Sequence, residues 1–192
     1  MQRSGPAAGR RWKLLYVGQL IELKRVDLAI RLVADLVASG LDVELDIVSQ
    51  RETLRAELEA QADSLGVRDR IHFLGPRNRE ALGELMGQSH LLVLPSRTEA
   101  LPTVVTEATF SGLPTLAFRV GGIAEQLPSG YPLPDISDYP GYLEAARSML
   151  EDYESSLATI AAHEPISRAT FAIDTMVDKH LELYTELYRE RR

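Results

Sequence analysis

Leu91-Leu92-Val93-Leu94-Pro95-Ser96-Arg97-Thr98-Glu99-Ala100-Leu101-Pro102-Thr103 moves from an unbroken apolar run, through a polar loop, into a helix start. Aliphatic residues without alternation read as a strand buried on both faces, the habit of a parallel sheet. Pro95 cannot donate to a sheet ladder and ends the strand. Pro102 suits the first turn of a helix, predicted over Thr103 to Phe110. A strand, a short loop and a helix make the repeating unit of a parallel α/β fold.

The same unit recurs on both sides. Toward the amino end, Leu14 to Val17 is a strand stopped at Gly18. Val26 to Val37 follows as a helix, with apolar positions 26, 29, 30, 33, 36 and 37. Val43 to Val48 is a strand and Glu52 to Leu65 a helix; Ile71 to Leu74 is a strand ending at Gly75, and Arg79 to Met86 a helix. Toward the carboxyl end come a strand at Thr115 to Phe118, Gly121-Gly122 and a short helix from Ile123. Residues 128 to 141 hold four prolines and are read as loop with one short strand. Helices at Tyr142 to Tyr153, Ser155 to Ala162 and Phe171 to Arg189 finish the chain. Five strand-then-helix units predict one parallel sheet with helices on both faces. Ligands in such folds bind outside the carboxyl ends of the strands.

Composition narrows the function classes. The 192 residues suit one domain, and no cysteine is present, so disulfides and thiolate metal sites are excluded. The absent cysteine fits a cytoplasmic setting, with the cytoplasmic membrane face as a variant of it. A net charge of −7 opposes broad electrostatic binding of nucleic acid, so an anion must be met by a local cluster. No apolar run is long enough to span a bilayer. Residues 1–12 read as a flexible lead-in, and Met1 to Arg11 lacks the apolar stretch of a secretory signal.

Four loops fall on the predicted binding rim. Gly18 to Arg25 places Lys24 and Arg25 just before a helix, where the backbone already carries partial positive charge. A phosphate lodged there makes the arrangement favourable; two solvated cations explain it as well. In the quoted stretch, Glu99 sits in the loop and Glu107 inside the helix, one turn from Thr103. Carboxylates accept hydrogen bonds only, so the pair suits a ligand rich in hydroxyls such as a ribose or hexose. The alternative is a helix-dipole charge and a solvated glutamate. Gly121-Gly122 before Ile123 lets a backbone approach a ligand, or makes an ordinary turn. Gly75-Pro76-Arg77-Asn78-Arg79 adds two cations.

Neither G-x-G-x-x-G after a strand nor a P-loop motif occurs. The histidines at 72, 90, 163 and 180 lack metal-ligand spacing; His72 and His90 are read as core or edge residues and His180 as structural.

Taken in order, Val93 to Ser96, Glu99, Glu107-Ala108, Ser111 to Pro114, Gly121-Gly122 and Glu125 resemble the carboxyl-terminal domain of glycogen synthase-like glycosyltransferases, family 4. Gly18 with Lys24, and Val67 to Gly75, are similar too. The resemblance runs from about Lys13 to the end. It implies one Rossmann-like half of a GT-B fold, binding a nucleoside diphosphate sugar without a metal or other cofactor and transferring the sugar with retained configuration. Glu99 and Glu107 match the family's E-x7-E pair. By that match Glu99 meets the sugar and, with Lys24, is catalytic; Glu107 holds the ribose. The backbone around Leu101, Thr103 and Val104 cradles the distal phosphate, and Gly18, Gln19 and Arg25 complete donor binding.

The chain departs from that pattern in three places. Gln19 stands where the family has arginine, Arg25 replaces a glycine, and Ser49-Gln50-Arg51 replaces a glycine-rich turn. The resemblance also implies an amino-terminal acceptor-binding domain or subunit as partner, which the sequence does not supply, with the lead-in as its linker. On that reading Phe171 to Tyr188 exposes an apolar face and the chain alone is inactive. Two other readings stay open: a catalytically degenerate binding or regulatory module acting through a partner protein, and a receiver-type α/β module. The receiver reading lacks the acidic cluster it needs at the first strand end.

Overall fold

The computed structural model describes residues 4–7 and 9–190 of the chain. Five parallel strands form one sheet in the order β3-β2-β1-β4-β5: β1 Trp12–Val17, β2 Val43–Val48, β3 Ile71–Gly75, β4 Leu91–Leu94 and β5 Thr115–Ala117. The helices are α1 Val26–Ala38, α2 Arg55–Ser64, α3 Arg79–Gln88, α4 Thr103–Phe110, α5 Ile123–Gln126, α6 Tyr139–Glu151, α7 Tyr153–Phe171 and α8 Ile173–Glu190. Short 3-10 turns cover Glu22–Lys24 and Arg68–Arg70. The fold is the expected α/β sheet with helices on both faces. β2, β4 and α4 fall on their predicted limits, and β1 begins at Trp12, inside the predicted lead-in. The lead-in lies partly outside the described residues.

The period of two along β1 builds both layers. Leu14 and Tyr16 enter the larger core with Leu36 of α1, Leu58 of α2 and Met149 of α6. Leu15 and Val17 point the other way, toward Met86 of α3 and Ala108 of α4. Because β1 pairs with both β2 and β4, its carboxyl end is the switch point where loops diverge to opposite sides of the sheet. At the amino ends of β1–β3 the smaller core gives way to Lys13, Glu44, Asp46 and His72. There, partial burial pushes the Asp46 carboxyl upward.

Three expectations are corrected. Residues 128–138 contain no strand; Tyr131 and Leu133 are buried instead, and the Tyr131 hydroxyl accepts from the Thr115 backbone N–H at 3.0 Å. α6 starts earlier than predicted, because Asp138 accepts from the Gly141 N–H and Pro140 suits the first turn. α7 runs unbroken through Pro165 to Phe171. A proline costs one intrahelical bond, and burial of Ile160, His163 and Ser167 along the helix overrides it. α8 follows α7 with no buried residue and exposes Ile173, Met176, Val177, Leu181, Tyr184 and Tyr188. The apolar face anticipated for this segment is therefore present and uncovered.

Tyr16, Tyr131, Tyr139 and Tyr142 have hydroxyls held above the ordinary tyrosine value of 10.0, chiefly by burial. Their folded-state affinity for the proton exceeds that of the unfolded chain, so stability is fully present below pH 10.0 and is lost as pH rises above it. Thermal unfolding should be level up to about pH 9.5 and fall steeply beyond about pH 10.5. Tyrosinate absorbance from these four residues should appear only with unfolding. Its appearance in a folded chain contradicts the packing described.

Candidate functional site

The site begins with the first loop. Gly18 N–H donates to Val48 O at 3.0 Å, carrying the β1–β2 ladder one residue further. A side chain at Gly18 would place its Cβ 2.5 Å from the Tyr16 hydroxyl, which itself donates to Gln19 O at 2.9 Å. Leu20 is fully buried, and its N–H donates to Arg51 O at 2.8 Å. Ser49 Oγ donates to the same Arg51 carbonyl at 2.8 Å. The turn that lacks glycines is thus closed by a serine side chain. This loop is anchored on both sides.

Its far end reaches the quoted stretch. Arg97 N–H donates to Leu23 O at 2.8 Å, tying the loop after β4 to the loop after β1. The Lys24 ammonium then meets both Glu99 oxygens, at 2.8 and 2.9 Å. The Glu99 side chain is 8% exposed and Lys24 25%. In so dry a setting each charge depends on the other, since one buried alone is strongly unfavourable. Tyr16 lies beneath the pair: burial first, and the nearby Glu99 carboxylate second, keep its hydroxyl protonated.

Arg25 has φ 50°, the one non-glycine residue with positive φ among those described. Its guanidinium turns onto Asp27, with contacts of 3.0 to 3.2 Å, and lines a groove of about 530 Å³ with Leu54, Gln61 and Arg97. That pair holds a backbone conformation that disfavours side chains by roughly 1–2 kcal/mol. Arg25→Gly should therefore raise stability by up to about 1 kcal/mol, after loss of the Asp27 pair. A lower midpoint in urea would show that the ion pair outweighs the strain. Gln19 is exposed and its side chain has no polar partner among the described residues.

The loop after β5 supports the loop after β4. Gly121 has φ +53°, and a Cβ there would lie 1.8 Å from Glu99 O. Gly122 N–H donates to Ala100 O at 2.7 Å. The paired glycines thus let one backbone lie directly on the backbone that carries Glu99. Sequence reasoning offered them a ligand or a turn; their contact is with Glu99 and Ala100.

α4 opens onto the same rim. The backbone N–H groups of Leu101, Thr103 and Val104 have no acceptor among the described residues, as expected of a helix start. Glu107 is exposed, one turn beyond Thr103, and its carboxylate has no ion pair there. Gln126 of α5, missed in the sequence, fixes this end: its Nε2 donates to Pro102 O at 3.0 Å and to Thr106 Oγ1 at 2.7 Å. His163 of α7 contacts Gln126 O at 3.0 Å. A glutamine three residues after a Gly-Gly-Ile turn was its only sequence signal. Gln126→Leu should cost about 1–3 kcal/mol by stranding buried acceptors, read as a shift in denaturation midpoint; no shift would mean that α4 is held without it.

The structure therefore brings Gly18, Lys24 and Glu99 together, with Leu101, Thr103 and Val104 in the adjoining segment. Glu107 lies further along α4, and Arg25 is directed to Asp27. A cavity of about 930 Å³ lies at the opposite, amino end of the sheet, lined by Arg11, Lys13, Glu44, His90 and Tyr153. That cavity contains none of the rim residues. Its polar groups pair with one another, Arg11 and Lys13 with Glu44 and the Lys13 N–H with His90 Nδ1, whereas the rim adds backbone donors without acceptors at the start of α4. No described helix is long and apolar enough to cross a membrane.

Comparison with known proteins identifies the family. The chain is 27% identical over 177 residues to an alpha-D-kanosaminyltransferase of Streptomyces kanamyceticus, covering 91% of this chain and 45% of that protein. It is 29% identical to a D-inositol 3-phosphate glycosyltransferase of Rhodococcus opacus, covering 88% and 40%. It spans less than half the length of these relatives. Among solved structures, WaaG, a glycosyltransferase involved in lipopolysaccharide biosynthesis, aligns with a TM-score of 0.73 and 28% identity over 91% of this chain and 47% of that one. The sucrose-phosphate synthase of Thermosynechococcus elongatus aligns at 0.82 with 21% identity, over 94% and 46%, a likeness of fold. The family model for glycosyl transferases group 1 matches residues 1–162, most of the chain, and the chain belongs to that family.

Proposed function

We propose that this chain is the donor-binding domain of a retaining, family 4 glycosyltransferase, holding a nucleoside diphosphate sugar at the carboxyl edge of its sheet. The observation that carries the reading is the Lys24–Glu99 pair, set beside backbone donors that lack acceptors at the start of α4. On binding, Lys24 and those N–H groups take the diphosphate, and the leaving nucleoside diphosphate is stabilised without a metal as the sugar bond breaks. Glu99, released from its sole engagement with Lys24, accepts from donor-sugar hydroxyls. Glu107 accepts from the ribose.

The acceptor-binding half is a second domain or subunit. The uncovered apolar face of α8 and the matched share of the relatives' length support this. The chain alone binds donor and transfers nothing. Calorimetry with UDP, GDP and ADP sugars tests the binding step: one should bind, and Glu107→Ala should weaken it about tenfold, the worth of one or two hydrogen bonds to a charged group. No heat with any donor at millimolar concentration refutes the reading.

A second reading, a module that has lost its chemistry, is favoured by Gln19, which is uncharged, and by Arg25, which is occupied by Asp27. Binding without transfer after an acceptor domain is supplied would select it.

A further inference from the structure

The backbone between Glu99 and Thr106 is held by one short turn. α5 has four residues. The glycines before it lie on the chain at Glu99 and Ala100, where Gly122 N–H donates to Ala100 O at 2.7 Å. Its last residue, Gln126, grips the first turn of α4 at two points, Pro102 O at 3.0 Å and Thr106 Oγ1 at 2.7 Å. Between these contacts stand Leu101, Thr103 and Val104, whose N–H groups have no acceptor among the described residues. α5 is thus a strap across residues 99–106, and the direction of its grip decides where those donors point.

So short a helix cannot fix itself, because one turn orders several residues for very few internal bonds. Ile123 and Leu127 are buried in the larger core and hold the strap down, but apolar contact is not directional. Nor is the Gln126 amide held from its other side: its Oε1 is buried and has no hydrogen-bond partner among the described residues. What remains is the Gln126 backbone, whose carbonyl lies at the end of α5 and lacks an intrahelical donor. His163 of α7 meets it in a buried contact, with Nε2 3.0 Å from Gln126 O. A carbonyl only accepts, so that nitrogen carries the proton. His163 stands on a helix of 19 residues that packs against α4. The strap is thereby aimed by a long element rather than by a loop.

We infer that His163 is a positioning residue for donor binding: through Gln126 it sets the first turn of α4, and with it the N–H groups that receive the diphosphate. The inference rests on the donor-binding reading and adds to it a residue that reaches the site only through another. Arg168, further along α7, marks the limit of the effect. It donates to Phe110 O at 3.1 Å and lies over the Phe110 ring at 4.4 Å, at the end of α4 away from the donor. Its loss weakens the packing of α4 without turning its start.

Calorimetry with UDP-glucose, GDP-mannose and ADP-glucose, beside backbone NMR of the free chain, tests this. His163→Leu should weaken the donor that the parent chain binds by about tenfold, and should move the amide signals of Leu101, Thr103, Val104 and Thr106 before any ligand is added. His163→Gln, whose amide can still donate to Gln126 O, should restore both. Arg168→Met should lower the unfolding midpoint by about 2–4 °C and keep donor affinity within about twofold. In a Gln126→Leu background, His163→Leu should cost less than about twofold more, since the link it acts through is already gone. Thr106→Val removes one end of the grip at a half-buried position and should weaken the donor about threefold; it replaces His163→Leu as the deciding variant if the latter does not fold. Undiminished affinity in the deciding variant, equal losses in His163→Leu and His163→Gln or in His163→Leu and Arg168→Met, or full additivity with Gln126→Leu overturns the inference and leaves the donor reading intact. A parent chain that binds none of the three donors instead removes the reading beneath it.

Discussion

Gly121→Ala should be the most damaging single methyl group in this chain, lowering stability by about 3 kcal/mol and the unfolding midpoint by roughly 10 °C. Two independent effects add. The residue has φ +53°, where an alanine is strained by roughly 1–2 kcal/mol. Its Cβ would sit 1.8 Å from the Glu99 carbonyl, and that oxygen is backbone, so no rotamer change relieves the clash. Overpacking of this kind costs about 1–3 kcal/mol. Gly130 supplies the control: its φ is +77° and a Cβ there meets nothing within 4 Å. Gly130→Ala should therefore show the strain alone, about 1 kcal/mol. Equal losses in the two variants would mean that the loops after β4 and β5 are not in contact. Donor affinity should fall with Gly121→Ala and not with Gly130→Ala, because only the former moves Glu99.

Lys24→Met should cost about 2–4 kcal/mol of stability, because it leaves a nearly buried carboxylate without its cation. The Lys24 head is more exposed than Glu99, so Glu99→Gln leaves a charge that water can reach and should cost about 1 kcal/mol. The double variant should recover part of the Lys24→Met loss, giving a coupling energy near 2 kcal/mol. The ligand responses should diverge. In the free chain both Glu99 oxygens hold the Lys24 ammonium, in competition with any incoming diphosphate. Glu99→Gln should thus strengthen binding of a bare nucleoside diphosphate by several-fold while erasing the advantage of the sugar-bearing donor. Lys24→Met should weaken both by about a hundredfold, the worth of a charge-assisted contact in a dry site. Parallel loss in both variants would contradict the competition.

The sequence was legible where punctuation was strong. Pro95, Pro102 and Gly112 bracket β4 and α4, and both elements fall on their predicted limits. Legibility failed where tertiary contacts overrode local signals. A helix expected to stop at Ala162 runs on through Pro165 to Phe171, carried by burial of Ile160, His163 and Ser167. Asp138 moved the start of α6, and a run rich in prolines at 128–138 proved to be core-anchored turns. At the site, residue types were readable and their partnerships were not. That Lys24 and Glu99, 75 positions apart, share an ion pair is a consequence of β1 pairing with β4, which no spacing reveals. Tyr16 and Gln126 looked like ordinary core and helix residues until the structure placed one beneath the ion pair and the other against α4. Arg25 read as a free cation; its left-handed backbone and Asp27 partner depend on coordinates.

Backbone NMR of the chain titrated with UDP, GDP and ADP sugars shows where the donor binds. One donor should shift the amide signals of Gly18, Leu101, Thr103 and Val104 together, along one saturation curve, and leave those of Lys13 and His90 beside the amino-end cavity in place. Shifts confined to that cavity, or no shift on the rim at millimolar donor, would contradict it.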